Sequence, residues 1–496
     1  MSIIKANGAG EQPTGFYNGV ATQSLRFAYT TAETWLAKTP NAGNRKTHTL
    51  SVWIKRSGLS AGQNILEARG SGDAGNVDIW FDANDRLEVS GGSTYWRTTT
   101  RVFRDTSSWY HIMIVTDTVQ TGQTFSGQNA LRIYVNGVEE TVFTDNNHYS
   151  ENTDYAIGGN VEHRIGDGYG HFDGYMARYE FVDGTALTPA SFGETKNGVW
   201  IAKKYTGSYG TNGHKLEFKE TGTSANSSGL GADTSGNDNH HTPTQITAHD
   251  SNMPDSPENN FCTLNSAAKS AGLTLSNGNL QTNTANKFAL GTISVNSGKW
   301  YFENYINSTN GGFAAVYNAD TGTYSTTIDD GGNNPSGYAY YSNGQTARNG
   351  SFVNYGSAFT TAGDIIGVAL DMDNGAIYFS KNGTWQKSAT TSEIAAGTTT
   401  NAAFTGLSGD MVARGGHYNN NNPTILNFGQ DSSFGGAITA GTETPSDGAG
   451  VFKYAPPSGF LALCTANLPE PTLGPNSDTQ ADDHFNTVLY TKCNRR

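Results

Sequence analysis

The first half of the chain contains short runs in which hydrophobic and polar residues alternate. Thr49–Lys55 alternates with a period of two, the pattern of a half-buried β-strand. Val77–Phe81 and Arg86–Val89 flank an aspartate-rich turn and predict a hairpin. Trp109–Val115 and Leu131–Val135 are also strand-like, and the Asn-Gly pair after the second run predicts a tight turn. The pattern therefore predicts many short antiparallel strands.

The second half is organised around one stretch, Gly363–Trp385. Its apolar run, Ile365–Leu370, does not alternate, so we expect a strand buried on both faces. Two Asn-Gly pairs, at Asn374–Gly375 and Asn382–Gly383, separate this run from two further β-prone segments. Both residues of such a pair tolerate positive φ angles, which tight hairpins require. The stretch predicts three strands in an antiparallel meander.

Composition supports an all-β chain. Only 15% of the 496 residues are charged, whereas glycine numbers 61 and aromatic residues make up 11%. Many turn-forming residues together with many aromatic residues are typical of sheets rich in hairpins. No long amphipathic helical period is present. The length allows two or more domains, each with its own core.

One set of motifs in the first half resembles the laminin-G-like, concanavalin A-like jelly roll. These motifs are Trp109–His111, Tyr134–Gly137, Ile165–Gly166, Phe172–Gly174 and a closing segment, Asp183–Gly193. The resemblance implies a sandwich of two antiparallel sheets. Many short strands with frequent turns are also what such a sandwich requires.

A second set of motifs closely resembles the SPRY domain, a two-sheet β-sandwich used for binding. Its members are Gly363–Val368, Asp371, Asp373–Gly375 and Phe379–Gly383, with Gly298–Glu303 and Ile425–Gln430 as matching flanks. The resemblance covers roughly residues 261–470.

We therefore predict an all-β chain of two antiparallel β-sandwich domains, one jelly-roll (concanavalin A-like) and one SPRY-like, joined by an irregular connector. The connector should pack partly on both domains, because its apolar residues need cover. A lone strand-like run near the carboxyl terminus, Phe485–Tyr490, must pair with another strand. The predicted segments are an anchoring arm (1–24), the laminin-G-like jelly roll (25–194), the connector (195–260), the SPRY-like sandwich (261–470) and a tail with one strand (471–496).

The order of these parts resembles that of bacteriophage virion proteins of the tail or receptor-binding type. The connector with Asp233–Asn237 and the junction Asn259–Phe261 contribute to this resemblance. It implies a place on the phage particle, in the tail, after assembly in the host cytoplasm. It also implies that the arm contacts other virion proteins and that the chain forms a homo-oligomer, with a trimer favoured.

Charge and cysteine content exclude several partners. The formal net charge is −13, and the scattered lysines and arginines form no basic stripe, so nucleic acid is not an expected partner. The first residues lack the apolar core of a signal peptide and no run approaches membrane-spanning length, so no membrane insertion is predicted. Cys262, Cys464 and Cys493 show neither metal-ligand nor disulfide spacing, and we interpret them as buried or incidental thiols.

Catalytic carboxylates are not apparent in the sequence. A retaining glycosidase needs two carboxyl groups about 5–5.5 Å apart, and jelly-roll enzymes place them at alternating positions of one strand. Glu217 and Glu220 would point to opposite faces, and Glu139 is directly followed by another glutamate. Asp371 and Asp373 share a face but sit at a turn, where aspartate is favoured for backbone bonding. We predict no catalytic residue and no enzyme activity.

Calcium is the one metal that the sequence suggests, and no cofactor is required. Laminin-G-like domains often hold Ca²⁺ at the sandwich rim, because this hard cation prefers oxygen ligands. The resemblance makes Asp167 and Asp173 the preferred ligands, with Asp73 and Asp78 as further candidates. The pair His240–His241 is interpreted as a polar loop and not as a metal site.

Sugar recognition would use aromatic rings against the apolar faces of sugars and amides against their hydroxyls. Three loops have this composition, and each is also compatible with ordinary protein surface. The candidate glycan-binding residues are Tyr95, Trp96 and Arg97 in the first loop, Tyr338, Tyr341, Asn343 and Arg348 in the second, and His417, Tyr418 and Asn419 in the third.

The favoured function is a structural virion protein that adheres to host surface polysaccharide through these loops. Many copies on one particle would each bind weakly, and the high effective concentration of their sites would raise the overall affinity. A head or tail decoration protein that contacts only virion proteins remains an alternative. A polysaccharide-degrading enzyme of the tailspike type and a cellular SPRY adaptor are further alternatives.

Overall fold

The computed structural model describes residues 4–6, 17–28, 33–70, 76–92, 94–307, 311–320, 334–418, 423–446 and 448–468. Over these ranges β-strands dominate, and the helices are short: α1 (Gly127–Ala130), α2 (Thr391–Ala395) and 3₁₀ turns at Pro189–Ser191, Ala248–Asp250 and Thr465–Asn467. The predicted all-β class is confirmed. No helix within the described ranges is both long enough and apolar enough to cross a membrane.

The run Thr49–Lys55, predicted to be half-buried, is instead buried throughout, whereas Val77–Phe81 alternates in burial as its sequence predicts. Burial therefore differs among the strands of the amino-terminal half. They are β1 (Ile4–Ala6), β2 (Leu25–Phe27), β3 (Trp35–Lys38), β4 (Thr47–Arg56), β5 (Gln63–Arg69), β6 (Val77–Phe81), β7 (Arg86–Gly91), β8 (Thr94–Val102), β9 (Tyr110–Asp117), β10 (Leu131–Val135), β11 (Val138–Glu139), β12 (Phe143–Asn146), β13 (Glu162–Ile165), β14 (Gly174–Asp183), β15 (Gly193–Lys196), β16 (Val199–Ala202), β17 (His214–Leu216) and β18 (Thr242–Thr244).

Two sheets form the first sandwich. Sheet A has the strand order β11-β10-β9-β4-β14-β17, with β2 beside β14, and sheet B has the order β12-β8-β7-β6-β5-β13-β3-β18. Val52 and Ile112 from sheet A meet Ile79 and Leu87 from sheet B in one hydrophobic core, and all four side chains are fully buried. Burial of such side chains stabilises the fold by roughly 1.5–3 kcal/mol each.

The connector is part of this sandwich. Its strand β17 extends sheet A beside β14, and β18 extends sheet B beside β3. Leu216, Phe218 and Leu230 lie in the first core. The connector's apolar residues therefore find their cover mainly against the first sandwich.

The carboxyl-terminal half supplies the second sandwich. Its strands are β19 (Leu264–Lys269), β20 (Leu275–Ser276), β21 (Gln281–Thr282), β22 (Lys287–Val295), β23 (Lys299–Ile306), β24 (Phe313–Asn318), β25 (Gly337–Tyr341), β26 (Gln345–Arg348), β27 (Ser351–Asn354), β28 (Asp364–Asp371), β29 (Ala376–Lys381), β30 (Thr384–Trp385), β31 (Phe404–Thr405), β32 (Met411–His417), β33 (Thr424–Asn427) and β34 (Leu461–Ala462).

These strands also form two facing sheets. Sheet C has the order β1-β22-β32-β24-β25-β26-β27, with β19 beside β22. Sheet D has the order β20-β21-β33-β23-β28-β29-β30, with β31 beside β29 and β34 beside β23. Trp300, Phe302 and Val368 of sheet D pack with Ala314 and Met411 of sheet C in the second core.

The predicted meander is confirmed as β28, β29 and β30, and every residue of β28 is buried. Asn382 and Gly383 have φ angles of 48° and 80°, so they form the expected two-residue turn. The first Asn-Gly pair behaves differently. Only Gly375 has a positive φ there, because the carboxylate of Asp371 accepts the backbone N–H of Asn374 and widens the turn.

The amino-terminal segment contacts its own chain where it is described. Strand β1 pairs in parallel with β22 of the second sandwich. Farther along, the backbone N–H groups of Gly19, Val20 and Ala21 donate to the carboxylate of Glu258 at 2.7–2.9 Å. Residues 1–3 and 7–16 of the predicted arm and the carboxyl-terminal run Phe485–Tyr490 lie outside the described residues.

Buried ion pairs join the two sandwiches. Arg26 on β2 is fully buried and donates to Asp250 of the connector at 3.0 Å and to Asp431 of the second sandwich at 2.7 Å. Lys55 on β4 donates to Asp255 at 2.8 Å and to the carbonyl oxygen of Phe261 at 2.9 Å. The interface between the domains therefore contains buried charges, and its stability depends on every charge keeping its partner.

Candidate functional site

Three carboxylates and an indole ring lie together on the side of sheet B that faces away from the core. Val77, Ile79 and Phe81 of β6 point into the core, so the alternating residues Asp78 and Trp80 point outward. On the neighbouring strands, Glu67 of β5 pairs with Asp78, and Glu88 of β7 pairs with Trp80. We call Glu67, Asp78, Trp80 and Glu88 the carboxylate face.

Hydrogen bonds fix the side chains of the carboxylate face. The indole N–H of Trp80 donates to Glu88 at 2.8 Å and to Ser90 at 3.0 Å. Asn64 donates to Asp78 at 2.7 Å, and Arg69 donates to Glu67. Because each carboxylate is held by a side chain on the same sheet, the face is rigid and its acceptors have set directions.

Burial and mutual repulsion shift the pKa values of this face upward. Burial, followed by repulsion from Glu67, raises the pKa of Asp78 to about 6. Burial also raises the pKa of Glu67 and the pKa of Glu88, against the hydrogen bonds that each receives. Clustered carboxyl groups with raised pKa values beside an aromatic ring can accept hydrogen bonds from sugar hydroxyls, and one of them can donate a proton near neutral pH.

The sequence search missed this face because it looked for two carboxylates on one strand. The three carboxylates come from three adjacent strands, and only the sheet register brings them together. The signal was nevertheless present: alternation within Val77–Phe81 and Arg86–Gly91 already assigns Asp78 and Glu88 to the outward face.

Asp167, a predicted calcium ligand, lies in an ion-pair network near this face. Its carboxylate accepts from Arg164 at 2.7 Å and contacts the Nδ1 atom of His171 at 2.7 Å. His171 Nε2 is 3.3 Å from Glu33, and within the described chain these three side chains, Glu33, Asp167 and His171, are the one group spaced to hold a metal ion. The arginine already neutralises Asp167, which weakens the case for Ca²⁺.

Asp173, the other predicted ligand, is placed apart from that network. It is 9% exposed, and its Oδ1 atom has no hydrogen-bond partner. Burial raises the pKa of Asp173 to about 7, against the attraction of Arg56. The two predicted calcium ligands, Asp167 and Asp173, therefore do not converge on one ion. Asp78 belongs to the carboxylate face, and Asp73 lies outside the described residues.

The first predicted sugar loop is a strand, β8, and only part of it faces solvent. Tyr95 is 51% exposed. Trp96 instead packs in the first core against Tyr149, with ring centroids 4.8 Å apart. Arg97 is buried, with its guanidinium over the ring of Phe143. The prediction that Trp96 and Arg97 bind sugar is therefore wrong. Strand alternation turns Trp96 into the core, and the buried Arg97 packs on Phe143.

The second predicted loop likewise belongs mostly to sheet C. Tyr338 and Tyr341 lie on β25 and are buried. Arg348 is exposed and covers the ring of Tyr338 at 4.3 Å. Asn343 is exposed at the turn after β25, where it donates to Gln345. The two tyrosines are therefore corrected from loop to core, and Asn343 and Arg348 remain available to a ligand.

In the third loop, His417 ends β32 and is fully buried, so its predicted surface position is corrected. Tyr418 is 41% exposed, and Asn419 lies outside the described residues.

Glu217, one of the carboxylates excluded above as catalytic, has structural partners. Burial opposes ionisation of Glu217, but a hydrogen bond from Thr234 and three nearby cations lower its pKa to about 2. His241 is buried.

We expect Asp78→Asn to stabilise the protein at pH 8. The pKa of Asp78 is raised on folding, so its ionisation destabilises the fold as pH increases through about 6. Removing that charge should raise the free energy of unfolding by about 1–2 kcal/mol at pH 8, after allowance for solvent screening. At pH 4, where the native carboxyl group is already protonated, the gain should disappear. Urea denaturation at both pH values measures it, and equal effects would refute this assignment.

Two family models match the chain. The model described as the concanavalin A-like lectin/glucanases superfamily (laminin G type) matches residues 30–191. The SPRY domain model matches residues 299–410. No curated protein sequence matches the chain.

Several solved structures match parts of the chain. The SPRY domain of human HERC1 is 19% identical, with a TM-score of 0.26, and the match covers 33% of this chain and 96% of that one. A putative carbohydrate binding protein from Bacteroides ovatus is 19% identical, with a TM-score of 0.29 and coverage of 46% and 59%. Domain 4 of AbnA, an arabinanase from Geobacillus stearothermophilus, is 17% identical, with a TM-score of 0.24 and coverage of 32% and 69%.

The domain assignment rests on the two family models. The chain therefore carries a concanavalin A-like domain of the lectin/glucanase superfamily and, after it, an SPRY domain.

Proposed function

We propose that this chain is a glycan-binding adhesion protein whose first sandwich holds sugar on the carboxylate face. The observation that carries the proposal is the position of Trp80 between fixed acceptors: its indole lies beside Glu88, and its ring meets the highly exposed Tyr169 edge-on at 5.3 Å. Rings can cover the apolar side of a sugar while carboxylates accept its hydroxyl protons. The superfamily's lectins and glucanases support the same ligand class.

The test is glycan binding measured by calorimetry or on an array, with variants of this face. Trp80→Ala is expected to weaken binding at least about tenfold, because a ring at the centre of a site contributes most of its affinity. Glu88→Gln should weaken it as well, since the amide offers one acceptor fewer. Tyr418→Ala, on the second sandwich, is the matched control and should bind as the wild type does. Unchanged binding by Trp80→Ala would reject the carboxylate face as the site.

The proposal includes the virion setting that the order of the domains suggests. The chain would sit on a phage tail as a homo-oligomer, most simply a trimer, anchored by its amino-terminal arm, and weak glycan sites would add by multivalency. Mass spectrometry of purified particles tests this placement. Absence from particles would refute it. Presence together with normal adsorption after gene deletion would favour a decoration protein.

Glycoside hydrolysis is a second candidate, favoured by one observation. Asp78, with a pKa raised to about 6, neighbours Glu67, so one group can be protonated while another stays ionised, as acid–base catalysis requires. Release of reducing ends from a bound polysaccharide would support this activity if Asp78→Asn and Glu67→Gln abolish it. Polysaccharide binding without release of reducing ends would support the non-catalytic adhesion role that we propose.

A further inference from the structure

A cleft lies beside the connector, on the outer side of sheet A. It encloses about 200 Å³. Four aromatic residues line it, Tyr17, Trp53, Trp109 and Trp200, together with Glu258. Tyr17 is 37% exposed, and Trp109 and Trp200 are partly exposed, so the rings are accessible from solvent. None of these residues belongs to the carboxylate face.

The cleft is rich in rings but poor in available hydrogen-bonding groups. The hydroxyl of Ser108 donates to Asp105, and the hydroxyl of Thr465 accepts the backbone N–H of Asn260. The Asn260 amide group donates to the Ser107 carbonyl oxygen and accepts from Lys55. A sugar needs several such groups for its hydroxyls. Besides Tyr17 and Glu258, these three are the polar side chains among the described residues that line the cleft, and each already has a partner. The cleft therefore offers a sugar few hydrogen bonds.

The indole N–H groups are engaged in the same way. Trp109 donates to Asp255 at 3.3 Å, and Trp200 donates to Nδ1 of His111 at 3.1 Å. Trp109 and Trp200 can therefore contact a ligand only through their carbon edges and π systems. The negative potential of an aromatic face attracts cations.

Glu258 gives the cleft a net negative charge. Its carboxylate accepts three backbone N–H groups, from Gly19, Val20 and Ala21, and no lysine, arginine or histidine of the described chain pairs with it. The buried cation Lys55, which donates to the cleft residue Asn260, is already paired with Asp255. Burial and the charge of Glu258 together raise the pKa of Tyr17.

We propose that this cleft binds the trimethylammonium group of a choline-type ligand. Aromatic walls with one uncompensated carboxylate match a cation that has no N–H groups and therefore needs no hydrogen-bond acceptors. The cleft is independent of the glycan-binding proposal. Free choline and the headgroup of phosphatidylcholine present the same chemistry, and separate experiments distinguish these two sources.

The decisive comparison is between choline and its neutral carbon isostere, 3,3-dimethyl-1-butanol. Titration of the full chain, followed by tryptophan fluorescence and calorimetry, should show saturable choline binding in the millimolar range. The isostere should bind at least about tenfold more weakly, because it has the same shape without the charge. Equal binding of the two compounds, or no saturable choline binding, overturns the proposal. This comparison needs only the wild-type protein.

Variants then locate the site. Glu258→Gln should weaken choline binding about tenfold, and Tyr17→Leu should weaken it by a smaller factor. Ser108→Ala, within the cleft, and Trp80→Ala, on the carboxylate face, are matched controls and should bind choline as the wild type does. Co-sedimentation with phosphatidylcholine vesicles, competed by free choline, decides whether the cleft also reaches a lipid headgroup. Choline affinity that is unchanged in Glu258→Gln would place the ligand elsewhere and reject this cleft.

Discussion

Replacing Arg26 with methionine is expected to lower the free energy of unfolding by about 3–5 kcal/mol. The guanidinium is fully buried between Asp250 and Asp431. Burial lowers the pKa of Arg26, but these two carboxylates outweigh it and raise the value overall. Methionine fills similar space but leaves both carboxylates without their cation in the buried interface, where an unpaired charge is costly. Urea denaturation at pH 7 measures the loss.

Two comparisons control this prediction. The triple variant Arg26→Met/Asp250→Asn/Asp431→Asn removes all three charges and should recover part of the lost stability, since replacing a whole buried ion group is far less costly than breaking it. Lys46→Ala breaks a pair with Asp154 in which both side chains are partly exposed, and it should cost at most about 1 kcal/mol. A loss in Arg26→Met as small as that of Lys46→Ala would contradict the assigned role of this ion group.

Acidification should destabilise the wild type more than a His111→Phe variant. Burial lowers the pKa of His111 to about 3 from an ordinary value of 6.5. Its ring stacks on Trp53 at 4.9 Å, and its Nδ1 atom accepts the indole N–H of Trp200. Protonation at Nδ1 would remove that acceptor and bury a charge. The folded pKa lies below the unfolded one, so the stability is complete above pH 6.5 and is lost as pH falls toward 3.

The difference in unfolding free energy between wild type and His111→Phe should therefore shift by about 2–3 kcal/mol in favour of the variant between pH 7 and pH 4.5. Phenylalanine keeps the ring stack but cannot accept a proton. Comparing the two proteins cancels the other titrating groups, including Asp173 and Asp78, whose raised pKa values act in the opposite direction. The exposed His148→Phe is the control and should show a much smaller shift. Parallel pH profiles for wild type and His111→Phe would refute the prediction.

Local patterns in the sequence predicted the fold well where the determining interactions are short in range. Alternation in Val77–Phe81 and the turn at Asn382–Gly383 specify strands and hairpins through side-chain direction and φ preference, which are properties of neighbouring residues. The same reasoning assigned Trp96 to a loop, and the structure places it in β8, facing the core. Aromatic residues beside polar ones are common to sugar sites and to strand ends, so composition could not separate the two.

Local sequence patterns were sufficient to predict the all-β class, the two sandwich domains and the meander at Gly363–Trp385, because each depends on the order of residues along one or two adjacent strands. Which distant residues meet depends instead on how the strands pair and how the sheets pack. Sheet register places Glu67 beside Asp78, and packing of the connector brings Glu258 to Trp109 and buries Arg26 between two domains. These contacts join residues far apart in the chain, and no local pattern encodes which pairs the folded sheets will bring together.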